Sequence, residues 1–446
     1  MRSSFLLLLV LLFGFQASAQ KKSTISAVIQ QIDDDSTQLV TTFKDLHANP
    51  ELGFMEVRTA GIVAKALRAL GYEVKEGIGK TGVAGVLKNG SGPVIMYRAD
   101  MDCNAVKEIT GLPYASTKIV KKEDGTETPV MHACGHDAHT TWLIGIAKVM
   151  ANNKNLWKGT LVLVAQPAEE PILGAEAMVN DGLYTKHGIP EPDALFAMHT
   201  TPAPLGMAGT QERGPQMAGT DQIDVVFKGV GGHGSTPHLA KDPVIMAADA
   251  VVLYQNIISR GINAQHAAVL TVGAVQAGSD NNVIPASALV KINLRWFDST
   301  DRRIMVEGIK RINNSIASAY NLPDSLYPTI AMKGWSYPLV NDSAIVAMAA
   351  KGFSQVVPPQ NIITNVPAAM GSEDAHHLVI HNPKHAVGYF VIGVADPAAC
   401  AKAVAEGRGV PYANHNGNYV VELRAIPLGT KLGVSALLEL FASVKQ

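Results

Sequence analysis

The sequence has 446 residues, of which 47% are hydrophobic and 17% charged, a composition typical of well-packed globular proteins and not of disordered chains. This length exceeds what one ordinary hydrophobic core holds, so two domains are expected. The formal net charge is −1 and no run of basic residues is longer than two, which argues against a nucleic-acid or anionic-membrane partner.

The first nineteen residues have the pattern of a secretory signal peptide. Arg2 precedes an apolar run from Phe5 to Phe15, and Ala17-Ser18-Ala19 supplies a small-x-small cleavage site. A membrane anchor is the alternative, but the run is too short to span a bilayer and we identify no second hydrophobic span. We therefore expect a mature protein that is exported, periplasmic or secreted, and not bound to a membrane.

From about residue 40 to 215 the pattern alternates between helices and strands. Helical spacing runs from Met55 to Leu70, and three apolar runs end in polar residues: 93–102, 159–170 and 193–202. Buried strands of this kind are typical of an α/β sheet covered by helices, in which sites form outside the carboxyl ends of the strands. The predicted fold class is therefore α/β, with a helix-covered mixed sheet in the catalytic domain.

From Asp221 the order of predicted elements becomes β-α-β-β-α-β, the split ferredoxin-like motif. Strand-helix alternation resumes at Ala344, which indicates an inserted domain. The expected organisation is a signal peptide (1–19), a first catalytic segment (20–217), an inserted α+β lid or dimerisation domain (218–331) and a second catalytic segment (332–446).

Residues that bind metals cluster at the predicted strand ends. In "HACGHD", Cys134 and His136 alternate and suit zinc, although such a pair is often incidental. Glu169-Glu170 ends the second apolar run. Two adjacent carboxylates could favour the dipole of the next helix, but a metal ligand beside a general base explains both.

Other polar residues at strand ends and turns are weaker signals one by one. His199 closes the third apolar run, His415 lies in "YANHNGNY", and Asp100 and Asp102 end the first run in "RADMD". A single histidine in such a place is more often structural than ligating. Together, however, these groups have the number and chemistry that a two-metal hydrolytic site needs.

The chain resembles the co-catalytic metallopeptidase family of aminoacylase and carboxypeptidase G, and is most similar to its amidohydrolase branch of hippurate and auxin-conjugate hydrolases. The resemblance covers nearly the whole mature chain and rests on motifs in a fixed order: "HANPELGF", "RADMD", "HACGHDAHT", "QPAEE", "AMH", "KGVGGHGSTPH", "GSEDAHH" and "NHNGNY".

The resemblance implies a role for each matching residue. Glu169 matches the general base. Asp100 and Asp102 are expected to orient the metal ligands without binding the metals themselves. Two divalent ions, zinc or manganese, are expected on the matching ligands Cys134, His136, Glu170, His199 and His415.

Three further residues match positions in the inserted domain. In relatives the histidine at His233 polarises the scissile carbonyl, sometimes from the partner subunit, and Asn282 and Arg295 fall where the substrate carboxylate binds. Arg295 could instead be a solvated strand arginine. The sequence departs from the family after "GSED", where His376 and His377 follow Ala375; a metal contact from either is an open alternative.

The expected activity is hydrolysis of the amide bond of N-acyl amino acids or related small amides by a metal-activated water, and a homodimer through the inserted domain is possible. A dipeptidase or carboxypeptidase on the same scaffold is the alternative enzyme. A secreted binding protein without turnover would be expected to lack Glu169 or a ligand, and this sequence has all of them.

Overall fold

The computed structural model describes residues 26–122, 125–383 and 386–444, so the expected signal peptide lies outside the described residues. The chain divides into two compact units. The first comprises the described residues up to Arg213, Asn341–Val366, and those from Ala375 onwards. The second comprises Gly214–Val340 and Pro367–Asp374.

The helices follow a helical stretch at 26–34. They are α1 (Ser36–His47), α2 (Val57–Ala69), α3 (His136–Asn152), α4 (Gly174–Asn180), α5 (Pro243–Asn256), α6 (Ser299–Ala319), α7 (Ser343–Phe353), α8 (Pro397–Ala405) and α9 (Ala425–Ser443).

The strands include several of only two or three residues. They are β1 (Glu73–Ile78), β2 (Gly82–Asn89), β3 (Val94–Asp100), β4 (Ile119–Lys121), β5 (Glu127–Pro129), β6 (Gly159–Gln166), β7 (Ala194–Pro204), β8 (Ala208–Gly209), β9 (Pro215–Met217), β10 (Gly219–Lys228), β11 (Gly232–His233), β12 (Val269–Ala277), β13 (Val283–Ile284), β14 (Ser287–Trp296), β15 (Thr329–Ser336), β16 (Leu339–Val340), β17 (Ile362–Ile363) and β18 (Val387–Ala395).

The first unit is built on a mixed sheet of eight described strands, in the order β1-β2-β6-β3-β7-β18-β8-β17. Its centre, β6-β3-β7-β18, is parallel. β3 and β6 are buried along almost their whole length because helices cover both faces of a parallel sheet. The predicted α/β class, with a helix-covered mixed sheet, is confirmed.

Helices α3 and α9 pack together in the core of this unit. The indole of Trp142 in α3 is fully buried and donates a hydrogen bond to the carbonyl of Ala425 in α9 (3.1 Å). Among the described helices, α9 alone is long and apolar enough to cross a membrane, but most of it is buried inside this unit. Its hydropathy is therefore that of a core helix.

The second unit is a four-stranded antiparallel sheet in the order β12-β14-β10-β15, with α5 and α6 packed on it. The predicted order β10-α5-β12-β14-α6-β15 is found. The alternating side chains Ile223, Val225 and Phe227 are buried in its core. The unit is wider than the predicted 218–331 because β9 pairs with β16, and Met217 pairs with Ala369.

Candidate metal centre

Three neighbouring parallel strands bring the predicted residues to one edge of the first unit's sheet. Asp100 is the last residue of β3, and Glu169 and Glu170 follow the end of β6. His199 is the middle residue of β7, level with Asp100 because Arg98 pairs with Ala197. β3 pairs in parallel with both β6 and β7. The carboxyl ends of such strands meet at the same edge, which explains why residues far apart in the sequence become neighbours.

Cys134 and His136 reach this edge from the turn that starts α3. Gly135 between them has φ +83°, and a Cβ on it would lie 2.3 Å from the hydroxyl of Thr200. That hydroxyl donates to the Cys134 carbonyl at 2.7 Å. Only glycine fits here, and it lets His136 become the first residue of the helix.

His136 is fully buried and oriented by Asp102. Its Nδ1 lies 3.2 Å from Asp102 Oδ1, so the neutral ring keeps its proton on Nδ1 and presents a lone pair on Nε2. Within the described chain, His136 Nε2 and Glu170 Oε1 are buried without hydrogen-bond partners and lie 3.8 Å apart. Two orphaned buried acceptors that face each other are what a cation site requires.

Cys134 and His199 form the next pair. Cys134 Sγ lies 3.5 Å from His199 Nε2, and His199 Nδ1 donates to the Thr200 carbonyl at 2.6 Å. Burial would raise the pKa of the Cys134 thiol, but the charge of His199 holds it well below its usual range. Burial would lower the pKa of His199, but the Cys134 thiolate raises it to about 9. A thiolate is the form that ligates metals.

Glu170 and His415 are the remaining predicted ligands. His415 Nε2 lies 3.4 Å from Glu170 Oε2, and the His415 backbone is held in a left-handed conformation (φ +63°) with its N–H on the Ala133 carbonyl. Burial and the Cys134 thiolate raise the pKa of Glu170 to about 7. Because both causes penalise a negative charge, a divalent cation would stabilise the carboxylate.

Glu169 lies beside these groups. The residue is 6% exposed, and Oε2 lies 3.8 Å from His136 Nε2. Ligand atoms of two overlapping sets come within 4.8 Å of one another: Cys134, Glu170 and His415 in one, and His136, Glu169 and Glu170 in the other. Thiolate, imidazole and carboxylate suit zinc or a similar divalent ion, so the residues present fit a site for two divalent metals.

Asp100 contacts His139, a histidine to which the sequence pattern assigns no role. Asp100 Oδ1 lies 2.6 Å from His139 Nδ1, and the Thr200 amide donates to His139 Nε2 at 2.7 Å. His139 is therefore neutral, with its proton on Nδ1, and burial lowers its pKa to about 4. His139 follows His136 by three residues at the start of a helix, and this spacing places both rings on one face. The spacing is the sequence feature that could have identified His139 as part of the site.

The three remaining candidates lie in the second unit. His233 is exposed, and its Nδ1 accepts the amide N–H of Ser235 at 3.1 Å, so the ring proton is on Nε2. Asn282 is exposed in the adjacent turn, where its carbonyl accepts the amide of Gly234 at 2.7 Å. Arg295 lies half-buried on β14 and donates to Asn293 (2.7 Å) and Ser372 (2.6 Å).

His376 and His377 are buried in the first unit, in the short 3-10 helix Ala375–Val379. Among the described residues, neither belongs to a group of ligand atoms close enough to hold a metal.

A family model described as "Peptidase family M20/M25/M40" matches residues 96–407. The hippurate hydrolase of Campylobacter jejuni is 38% identical over 84% of this chain and 89% of its own length. The N-acetyl-L-cysteine deacetylase of Bacillus subtilis is 35% identical over 76% of this chain and 77% of its own. A solved dinuclear metal-binding peptidase from Bacillus subtilis superposes with a TM-score of 0.68, at 26% identity, over 92% of this chain and all of its own.

Proposed function

We propose that the substrates of this chain are N-acyl amino acids or related small amides. The premise is that the chain belongs to peptidase family M20/M25/M40 and is a metal-dependent hydrolase of amide bonds. The observation that supports metal-dependent hydrolysis at this site is the pair of orphaned acceptors, His136 Nε2 and Glu170 Oε1, beside the buried Glu169. Similarity to a hippurate hydrolase and an N-acetyl-L-cysteine deacetylase supports this substrate class.

Two divalent metal ions, zinc or manganese, would be held by Cys134, His136, Glu170, His199 and His415. When bound, they supply Lewis acidity, which polarises the substrate carbonyl and lowers the pKa of water.

The chain's own residues would move the protons. The Glu169 carboxylate accepts a proton from water as the oxygen attacks the amide carbon, and later gives it to the leaving nitrogen. In relatives the histidine that matches His233, sometimes from the partner subunit, polarises the carbonyl, and His233, whose proton is on Nε2, would donate that hydrogen bond to the developing oxyanion. Arg295 and Asn282 would bind the substrate carboxylate. The products are a carboxylic acid and an amine.

The first experiment compares Glu169→Gln with Glu170→Gln in metal-reconstituted protein. Glu169→Gln is expected to keep both metals and lose about 10²–10⁴-fold in kcat, because general-base catalysis contributes that much. Glu170→Gln should lose metal, since it removes a ligand charge. Turnover is followed on N-acetyl and N-benzoyl amino acids and on unblocked dipeptides, and metal content by elemental analysis.

Glu176→Gln, a partly exposed glutamate on α4, is the control and should alter neither property. A fully active Glu169→Gln protein would remove Glu169 from the mechanism. Turnover of dipeptides alone would favour the dipeptidase alternative.

We further propose that residues 1–19 are cleaved and that the mature protein is exported. Supporting this are Arg2, the apolar run to Phe15 and the Ala17-Ser18-Ala19 site. When the full chain is expressed in a bacterium that exports it, the intact mass measured by mass spectrometry should correspond to a chain that starts at Gln20.

We also propose a homodimer formed through the second unit. β12 is an edge strand of its sheet. On α5, Ile245 and Val252 are 50% and 68% exposed and lie seven residues apart, on the face opposite the buried residues Ala247, Ala250 and Tyr254. An open strand edge next to an exposed apolar helix face is typical of a self-association surface.

A further inference from the structure

The turn that carries Glu169 and Glu170 has a backbone conformation that needs support. Ala168, directly before it, has φ +46°, in the left-handed region that residues with a side chain rarely adopt. The Ala168 carbonyl accepts the amides of Leu173 (3.2 Å) and Gly174 (3.0 Å), which closes the turn on itself. The Ala168 amide points the other way and needs an acceptor from elsewhere, because a strained backbone persists only when its surroundings hold it.

Glu56 supplies that acceptor from the N-terminal segment. Its side chain is fully buried; Oε1 accepts the Ala168 amide at 2.8 Å, and Oε2 accepts the Thr81 hydroxyl at 2.5 Å. Burial and the charge of Asp102 raise the pKa of Glu56 to about 7. A buried carboxylate is unfavourable unless its hydrogen bonds compensate, so these two contacts account for its presence.

Asp102 holds the other side of the same turn. Its Oδ2 accepts the Glu170 amide at 2.9 Å, while its Oδ1 contacts His136. The amides on either side of Glu169 are thus each bound by a carboxylate, one from residue 56 and one from residue 102. A Cβ at Gly53 would lie 3.0 Å from the Ala168 Cα, so the segment around Glu56 packs directly against the turn.

We propose that Glu56 is a positioning residue, which fixes the Glu169-Glu170 turn through the Ala168 amide so that the base and the metal ligand face the same point. The inference rests on the proposed function for the roles of Glu169 and Glu170. The contact itself does not, and it can be tested without turnover.

The test compares Glu56→Met with Glu56→Gln in metal-reconstituted protein. Methionine keeps the volume and removes the acceptor, so kcat should fall about 10–100-fold with KM within about twofold, as expected when a reacting group is misplaced. Hydrogen exchange of the amides in residues 167–174 should rise at least about tenfold. Glutamine still accepts the Ala168 amide, and the Thr81 hydroxyl can turn to accept from it, so Glu56→Gln should restore kcat to within about threefold of wild type.

Glu51 provides a matched control from the same segment. Its carboxylate accepts the amides of Arg58 (2.9 Å) and Thr59 (2.8 Å) at the start of α2 and makes no contact with residues 167–174 among the described hydrogen bonds. Glu51→Met should lower the melting temperature and leave both kcat and the exchange of residues 167–174 unchanged. If Glu56→Met does not fold, Glu56→Asp, which is one methylene shorter, takes its place.

Two results would overturn the proposal. One is a Glu56→Met protein with a lowered melting temperature but wild-type kcat and exchange, which would make the role purely structural. The other is a Glu56→Gln protein as slow as Glu56→Met, which would exclude the hydrogen bond as the cause. A wild-type protein that cleaves no amide would refute the proposed function instead, and the exchange comparison would still decide the role of Glu56.

Discussion

His47 is a buried charge held between two carboxylates. Its Nδ1 lies 2.6 Å from Asp137 Oδ2 and its Nε2 lies 3.2 Å from Glu108 Oε1, while the ring of Tyr114 packs edge-on at 5.4 Å. Burial alone would lower the pKa of His47, but the two carboxylates raise it to about 10. Asp137 is the second residue of α3, so this group of charges ties the N-terminal segment to the helix that begins at His136.

We expect His47→Gln to lower the free energy of unfolding by roughly 3–5 kcal/mol near pH 6, because it leaves two buried carboxylates without their cation. The folded pKa lies above the usual value of 6.5, so the stabilisation is complete below pH 6.5 and is lost as pH rises towards 10. Urea unfolding at pH 6, 8 and 10 measures the difference between variant and wild type.

That difference should shrink steadily across the three pH values; a constant difference would contradict a charged His47. His187→Gln is the control. His187 forms a partly exposed pair with Asp181 at 2.9 Å, and its loss should cost no more than about 1 kcal/mol.

Residues at strand ends could be predicted from the sequence, whereas the contacts between distant segments could not. The three polar-ended apolar runs predict that Asp100, Glu170 and His199 lie near one another, because the carboxyl ends of parallel strands meet at one edge of the sheet. The partners of His47, Glu56 and His139 lie 90, 112 and 61 residues away, and no periodicity encodes such pairings.

At the level of elements, two helix glycines have opposite surroundings. A Cβ at Gly429 in α9 would lie 2.1 Å from the Trp142 ring of α3, whereas a Cβ at the exposed Gly61 in α2 meets nothing within 4 Å. The close approach of α9 to α3 therefore depends on the missing side chain at 429.

The same substitution should consequently have opposite effects at the two positions. Gly429→Ala is expected to destabilise by about 1–3 kcal/mol through overpacking. Gly61→Ala should stabilise by about 0.5–1 kcal/mol because alanine is the better helix former. Chemical denaturation of both variants checks this, and equal effects would mean that α3 and α9 can separate freely at this crossing.

The boundaries of elements were less predictable than their type. The run 159–170 was predicted as one polar-ended strand, yet β6 stops at Gln166, because Pro167 and the left-handed Ala168 turn the chain. The helix predicted for 243–261 is α-helical only to Asn256 and then widens into a π-helical turn at Ile257–Gly261. Such local departures depend on tertiary contacts, which override propensity at the ends of elements.

At the scale of the whole molecule, the order of elements predicted an inserted α+β unit, but its edges did not follow from periodicity. The strands β9 and β16 are two to three residues long, and Pro367–Asp374 joins the second unit from a distant part of the chain. The local pattern around His415 does not predict a ligand either, because a single histidine in a polar turn is more often structural. The family resemblance and the other predicted ligands make it a candidate.

The homodimer proposed for the second unit can be tested at this scale. Val252→Asp places a charge in the centre of the exposed apolar face of α5, and burying it unpaired would oppose association. Light scattering should give twice the chain mass for the mature wild-type protein and the single-chain mass for the variant.

Val404→Asp is the matched control, because Val404 is 63% exposed on α8 in the first unit. This variant should remain dimeric. A monomeric wild type at micromolar concentration would refute the dimer. Dissociation of both variants would show that added charge, and not this face, controls assembly.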